Sequence, residues 1–488
     1  MSLLENYFEK FKKNTIGYNQ KFLSPYGEKD LIYADWVASG RLYRPIEEHI
    51  INEIGPFVAN THTETSTTGT LMTKAYHEAQ RIIKSHVNAA NYDVIITAGF
   101  GMTTVVNKFQ RILGLKIPEQ LKNKLELKKD DKPVVFITHM EHHSNQTSWL
   151  ETICDVVVIE PTHDGRINLE HYKELLNLYK NRKLKIASIT ACSNVTGVET
   201  PYHEMAKLIH QQGGLCFVDF AASAPYVDIN MHPEDPQEKL DAIFFSPHKF
   251  LGGPGTSGVL IFDSKLYNRS VPDHPGGGTV DWTNPWGDHK YINDIETRED
   301  GGTPGFLQAI KTALSIKLKN QMGVENIINR EKELLAYAFP RFDKIPSVHL
   351  LADNIRERLG ILSFYIEDLH YNMAVKLLND LYGIQVRGGC SCAGTYGHYL
   401  LHVDPSRSKR ITKKISEGDL SEKPGWVRLS LHPTMTDKEL EVIMDAIEDV
   451  ATNFKKYEND YTYSNHTNEF YHKKTDNQFD IVNKWFEF

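Results

Sequence analysis

Seven short apolar runs punctuate the first two thirds of the chain: DVIITAG (93–99), KPVVFITH (132–139), DVVVIEP (155–161), LKIASITA (184–191), GLCFVDF (214–220), LDAIFFS (240–246) and SGVLIF (257–262). Their apolar positions are consecutive rather than alternating, the pattern of strands buried on both faces. Helical stretches such as 168–182 and 201–212 lie between several of them. The pattern predicts an α/β domain over 30–310 whose sheet is covered by helices on both sides. A long helical pattern then fills 311–345. The pieces VHLLAD, RLGILSFYI, AVKLLNDLYGIQVR and WVRLSLH follow, ahead of the amphipathic TDKELEVIMDAIEDVATNFKKY. They predict a smaller α+β domain over 311–458, and no internal repeat is evident.

Two stretches break the pattern. Residues 110–133 are Lys-rich and read as a surface excursion, whereas 402–425 (HVDPSRSKRITKKISEGDLSEKPG) are polar and basic and read as a mobile loop. The first 29 residues are expected to pack with the smaller domain, and the tail 459–488 carries no assignable pattern. The start, MSLLENYFEKFKKN, has acids and lysines where a signal peptide needs an apolar core. No apolar run reaches the ~18 residues of a spanning helix, so the cytoplasm is the expected compartment.

Composition narrows the classes further. Of 488 residues 40% are hydrophobic and 24% charged, which excludes a disordered or fibrous chain. Fifty-five Lys+Arg against 63 Asp+Glu leave a net charge of −8, and no basic excess to hold nucleic acid or an anionic membrane. The five cysteines, at 154, 192, 216, 390 and 392, are too few and of odd number for a disulfide framework.

Candidate chemistry gathers at strand ends. Lys249 in SPHKFLGGPG follows the run DAIFF, and a partly desolvated lysine there has a lowered pKa and can form a Schiff base. An exposed loop lysine is the plainer alternative. Asp219 ends the run FVD; it can keep a pyridinium nitrogen protonated or merely cap the next turn. In ITAGFGMTTVVNKF (96–109) a strand enters Gly-x-Gly-x-Thr-Thr and a helix, a ready phosphate site that lacks both a P-loop lysine and a third dinucleotide glycine. His142 in MEHHSNQ and Asn194 in ACSNVTG also follow strands, where sheet ligands bind. The spacing of EHH fits no common metal-ligand pattern.

The ordered set TAGFGMTT, MEHHSN, CSNVTG, VDFAASA, SPHK, GGTP, SCAG and WVRLSLH resembles the class V aminotransferase superfamily of pyridoxal-phosphate enzymes, nearest its cysteine desulfurase and selenocysteine lyase group, over about 30–450. The resemblance implies fold type I: a large domain with a mostly parallel seven-stranded sheet between helices, plus the small α+β domain. It implies pyridoxal 5'-phosphate as cofactor and Lys249 as the Schiff-base lysine. Asp219 is placed on the ring nitrogen, His142 on the ring face and Asn194 near the ring hydroxyl. The phosphate contacts are Thr103, the amide of Met102, Ser246 and His248. Thr303 is implied to reach the phosphate of a neighbouring subunit, hence a homodimer with shared active sites. Arg428 is implied to hold the α-carboxylate of a small amino-acid substrate, a task suited to a bidentate guanidinium. One departure is VDFAA, with Ala222 where the pattern carries Gln.

Cys392 in RGGCSCAGTYG matches the family nucleophile, which attacks substrate sulfur or selenium and leaves alanine and an enzyme persulfide. Glycines 388, 389 and 394 suggest a freely moving loop. An inert thiol in a relative of other chemistry is the alternative. No second cysteine pair completes a zinc site, and HYLLH has Tyr399 where a zinc protease needs Glu, so no metal is expected. The basic insert suggests a pocket cover or a dock for a sulfur-acceptor protein. The competing readings are an aminotransferase, epimerase or C–S lyase of the same superfamily, a catalytically dead scaffold, and a nucleotide-binding enzyme.

Overall fold

A computed structural model describes residues 2–122, 124–474 and 479–487. All seven apolar runs are strands of one sheet: β1 (Asp93–Ala98), β2 (Val134–Thr138), β3 (Asp155–Ile159), β4 (Lys185–Thr190), β5 (Leu215–Asp219), β6 (Ala242–Phe245) and β7 (Gly258–Asp263). Their order across the sheet is β1-β7-β6-β5-β4-β2-β3. Only β7 runs against its neighbours, β1 and β6; the other pairings are parallel.

Neighbouring residues on each strand serve opposite cores, which is why the runs read as continuous. Ile95, Phe136, Val218 and Ile243 face helices Thr67–His86, Leu169–Leu178, Tyr202–His210 and Phe306–Met322. Val94, Val135, Phe217 and Phe244 face helices Met102–Ile112 and His143–Leu150.

A second sheet, antiparallel, contains β8 (Val348–Leu350), β9 (Ile361–Ile366), β10 (Arg387–Gly389) and β11 (Trp426–Ser430), ordered β8-β9-β11-β10. Helices Val324–Phe342, Tyr371–Tyr382 and Asp437–Asn453 pack on it. The long helical pattern after 310 is thus two helices, broken at Gly323. At the N-terminus, the helix Leu3–Asn14 is capped by Ser2, buries Phe8 and Phe11 beside Leu318 and Ile327, and pairs Lys12 with Glu439.

Two expectations need correction. The basic insert is not a mobile loop: Pro405–Ser416 form a helix whose first turn is capped by Asp404 and whose charges pair, Lys414 with Glu422 at 2.7 Å and Arg410 with Glu422 at 3.0 Å. Proline at the first helical position and a capping Asp were the available signal; the density of charge concealed it. The tail also has structure within its described part. Tyr461–Ser464 and Glu469–His472 form a hairpin, with Tyr461 donating to Asp380 at 2.8 Å. Of the excursion 110–133, Gln110, Ile112 and Leu115 are buried at and just after the end of the helix Met102–Ile112, and the described residues of 118–130 are exposed, with one short helix, Glu119–Lys122.

The segment 34–40 crosses the end of the large sheet beneath the Lys249 turn, and only glycine fits at its closest point. The Gly40 N–H donates to the His248 carbonyl at 2.9 Å, and a Cβ on Gly40 would stand 1.9 Å from the Phe250 carbonyl oxygen. Gly40→Ala should therefore destabilise the fold by about 1–3 kcal/mol. Gly277→Ala, with nothing within 4 Å of the added Cβ, should change it by less than about 0.5 kcal/mol. Urea unfolding midpoints compare the two; equal shifts would refute the close-approach argument.

Candidate active site

The carboxyl ends of the parallel strands open into a cavity of about 380 Å³ that also reaches β10 and β11 of the small sheet. Its lining includes Lys249, Asp219, His142, Asn194, Met102, Thr103, Ser246, His248, Arg428 and Cys392. One candidate is elsewhere. Thr303 sits on an exposed turn outside this cavity.

The β1 turn delivers the start of the helix Met102–Ile112 to the cavity floor. The Met102 N–H donates to Ser246 Oγ at 2.8 Å, and Thr103 Oγ1 lies 2.6 Å from Ser144 Oγ. A Cβ on Gly101 would crowd Ser246 Oγ at 3.1 Å, so a bare backbone lets the β1 and β6 turns meet there. The helix N-terminus, with its partial positive charge, is thus aimed at the same space as Ser246 and His248.

Desolvation governs the titratable groups. Burial raises Asp219 to about 6, opposed by the Ala221 N–H that it accepts and by Lys249. Burial lowers Lys249 to about 8; Asp219 raises it and Arg428 lowers it further. Burial, then Lys249, lowers His142 to about 3 and His248 to about 4, so both imidazoles are neutral at physiological pH. His142 caps the helix that follows it: its Nδ1 accepts the Ser144 N–H at 3.1 Å, which places the ring proton on Nε2. Beneath them Glu141 is buried and raised to about 7, and its carboxylate accepts from Thr138, Asn145 and the Thr190 N–H.

Arg428 is only 3% exposed and stands on β11. Its Nη2 donates to Asp35 at 2.9 Å and its Nη1 to the Asn194 carbonyl at 3.3 Å, while its Nε is buried without a partner among the described residues. Asn194 Nδ2 donates to the Ser391 carbonyl at 2.8 Å, and Asn194 Oδ1 is likewise unpartnered.

Cys392 is exposed, as expected, but its loop is tethered rather than free. The His143 N–H donates to the Cys392 carbonyl at 2.7 Å, and His143 Nε2 accepts the Gly394 N–H at 2.9 Å. Trp426 Nε1 donates to Ser391 Oγ at 3.2 Å. Ser391 and Cys392 have φ of 51° and 55°, two successive side-chain-bearing residues in the left-handed region, a strained state that such tethers hold in place. The glycines that suggested mobility serve the β10 strand and the start of the helix Gly394–Leu400 instead. Cys154, Cys192 and Cys216 are buried.

Sequence reasoning missed Asp35, Arg387, His143 and Ser391. Asp35 was legible only as a lone acid in the apolar stretch YADWVAS, and Arg387 only as a basic residue five positions before Cys392.

Comparison with known proteins fits this arrangement. The family profile for class-V aminotransferases matches residues 32–443. Proteins described as "Probable cysteine desulfurase" are similar to the chain. One from Staphylococcus aureus (strain Mu50) is 28% identical over 370 residues, 75% of this chain and 84% of its own. Another, from Halalkalibacterium halodurans, is 29% identical over 367 residues, 74% of this chain and 84% of its own. Among solved structures, a cysteine desulfurase from Thermococcus onnurineus superposes with a TM-score of 0.71 at 22% identity, covering 91% of this chain and 98% of that one. The cysteine desulfurase CsdA of Escherichia coli gives 0.70 at 20%, covering 92% and 98%. The structural likeness shows the fold-type-I architecture that the sequence suggested.

The lowered Lys249 pKa has a direct readout. Acylation of Lys249 by an amine-reactive reagent, followed by peptide mass spectrometry, should rise through about pH 8, against 10.5 for an ordinary lysine. A half-maximum near 10 would contradict the desolvated environment.

Proposed function

The chain belongs to the class-V aminotransferase family, and within it we propose a pyridoxal-phosphate-dependent, cysteine desulfurase-like enzyme that moves sulfur from L-cysteine, or selenium from selenocysteine, onto Cys392 and releases alanine. One observation carries the reading: a single cavity gathers a desolvated lysine, a buried carboxylate, a neutral imidazole, a buried arginine and an exposed thiol.

The residues present fit the cofactor. Asn194 Oδ1 is buried beside the cavity with no partner, and the helix start at Met102, backed by Ser246 and His248, offers an anion site. Lys249 would carry the group through Nζ. Asp219 would serve the ring nitrogen, His142 the ring face and Asn194 the ring hydroxyl. Met102, Thr103, Ser246 and His248 would take the phosphate. Pyridoxal phosphate supplies a ring that withdraws the electron pair released at the substrate's Cα.

The chain's own groups do the rest. Lys249 Nζ, increasingly neutral above about pH 8, takes the Cα proton. The Asp219 carboxylate keeps a proton on the ring nitrogen, and Arg428 orients the α-carboxylate. The Cys392 thiolate bonds to the substrate sulfur as the Cβ–S bond breaks. The bonding pair stays with the carbon fragment, which is protonated and leaves as alanine, while the sulfur remains as a persulfide on Cys392. A reductant or acceptor thiol then removes it, either a small molecule or an acceptor protein. Thr303, exposed outside the cavity, would reach the cofactor phosphate of a second subunit, making the working unit a homodimer. A reducing compartment such as the cytoplasm suits a nucleophile that must remain a thiol.

A second reading rests on Ala222, which lines the cavity without a donor where the resembling enzymes carry Gln. It keeps the cofactor and changes the reaction to transamination, epimerisation or C–S lysis. The thiol decides between them. With L-cysteine and a reductant, Cys392→Ala should lose alanine and sulfide formation by about 100-fold or more, with cofactor absorbance retained. Equal sulfide release from the two proteins would exclude the persulfide route, and pyruvate in place of alanine would leave the lyase reading.

A further inference from the structure

Arg387 and Arg428 stand directly opposite each other on the antiparallel pair β10 and β11. Two like charges in that register repel, and one of them, Arg428, is buried. The structure relieves the conflict with a residue from a distant part of the chain. Asp35 Oδ1 accepts from Arg428 Nη2 at 2.9 Å, and Asp35 Oδ2 accepts from Arg387 Nε at 2.9 Å. Asp35 is 9% exposed and is itself fixed by backbone. The strand Ile32–Tyr33 pairs in parallel with Ile384–Gln385, Asp35 bridges to Ser430, and the Ser430 N–H donates to the Ala34 carbonyl at 2.8 Å. The carboxylate is therefore held by backbone pairing to β11, which carries Arg428, and to the strand Ile384–Gln385, two residues before Arg387.

Asp35 is absent from the cavity wall, whereas Arg387 and Arg428 are both part of it. It grips them from behind. The buried, unpartnered Nε of Arg428 remains, as does the outer end of Arg387, which uses only Nε on Asp35 and keeps 54% of its side chain exposed. Two guanidiniums and one carboxylate sum to a single positive charge, the complement of one anionic group.

We propose that Asp35 is a positioning residue that locks Arg387 and Arg428 into one fork for a single carboxylate, with Arg387 as its second arm, and so gives the cavity its preference for α-amino acids over analogues that lack the acid. This rests on the proposed role of Arg428 as the substrate-carboxylate group, and it extends that role to two residues that the sequence did not single out. Asp35 also raises the pKa of Lys249, so its charge is felt across the cavity.

The test is binding of L-alanine and L-alaninamide to the holoenzyme, read by titration calorimetry, so that neither Cys392 nor turnover enters. Wild type should prefer the acid. In Asp35→Asn that preference should fall about tenfold, the scale of one charge-assisted hydrogen bond, with alaninamide binding nearly unchanged. In parallel, KM for L-cysteine should rise while kcat moves little. Asp35→Glu should recover part of the preference. An unchanged preference, an increased one (the sign of Asp35 as a competing anion), or an equal loss for acid and amide would each overturn the proposal. Should Asp35→Asn fail to fold, Arg387→Gln decides: it removes one arm and should lower the preference severalfold, and no change would overturn the fork. A wild type that shows no acid preference refutes instead the assignment of Arg428 to the substrate carboxylate.

Discussion

Taking charge out of water is the constraint around which the cleft is organised. A lone buried ion costs several kcal/mol even after relaxation, yet the cavity concentrates Asp219, Lys249 and Arg428 within its walls. Each is offset by groups around it. Asp219 accepts a backbone N–H, Arg428 bonds a carboxylate and a carbonyl, and Lys249 sits in the field of Asp219 while Arg428 opposes it. The displaced pKa values follow from that bargain between burial and pairing. Where burial meets a neighbouring like charge the group neutralises, as His142 and His248 do beside Lys249.

Other polar groups help hold the two sheets together. Apolar contacts of Leu351, Ile355, Tyr396 and Trp426 with the large-sheet core are joined there by directed bonds between residues distant in sequence. Arg358 donates to the carbonyls of Thr196 and Leu351, Ser363 to Val195, and Asn194 to Ser391. Each fixes a turn at the end of a large-sheet strand to an element of the smaller sheet. Geometry at the cavity is thereby set by buried side chains bonded to backbone carbonyls, the condition for a preorganised site.

What could be read from the sequence follows the range of the forces. The seven strands of the large sheet were legible because each is buried on both faces and writes itself as a local apolar run. Lys249, Asp219, His142 and Asn194 were legible because each ends such a run, and ordered motifs then gave them roles. Asp35 and Arg387 were not, since their meaning lies in a contact spanning most of the chain. The tether of Cys392 was hidden for the same reason: glycine content reports conformational freedom of the unfolded chain, while His143, Asn194 and Trp426 remove that freedom from afar. The helix Pro405–Ser416 is a different failure, one of weighting, because its cap and its proline were local and visible.

The reversed strand β7 has a consequence for the order in which the molecule is built. It lies between β1 and β6, so β1, at the sheet edge, has no other strand partner among the described residues. β1 ends at Ala98 and β7 begins at Gly258, so during synthesis the first strand of the sheet waits for the last before it can be hydrogen-bonded. The turn after β1, which carries Met102 to Ser246, waits with it. Loop closure over so long a stretch is slow relative to the local pairing of helices. The parallel strands β2 to β6 can register among themselves beforehand. A chain that ends just before residue 258 therefore lacks the strand that pairs β1 into the sheet, and with it the support that sets the Met102 turn against Ser246.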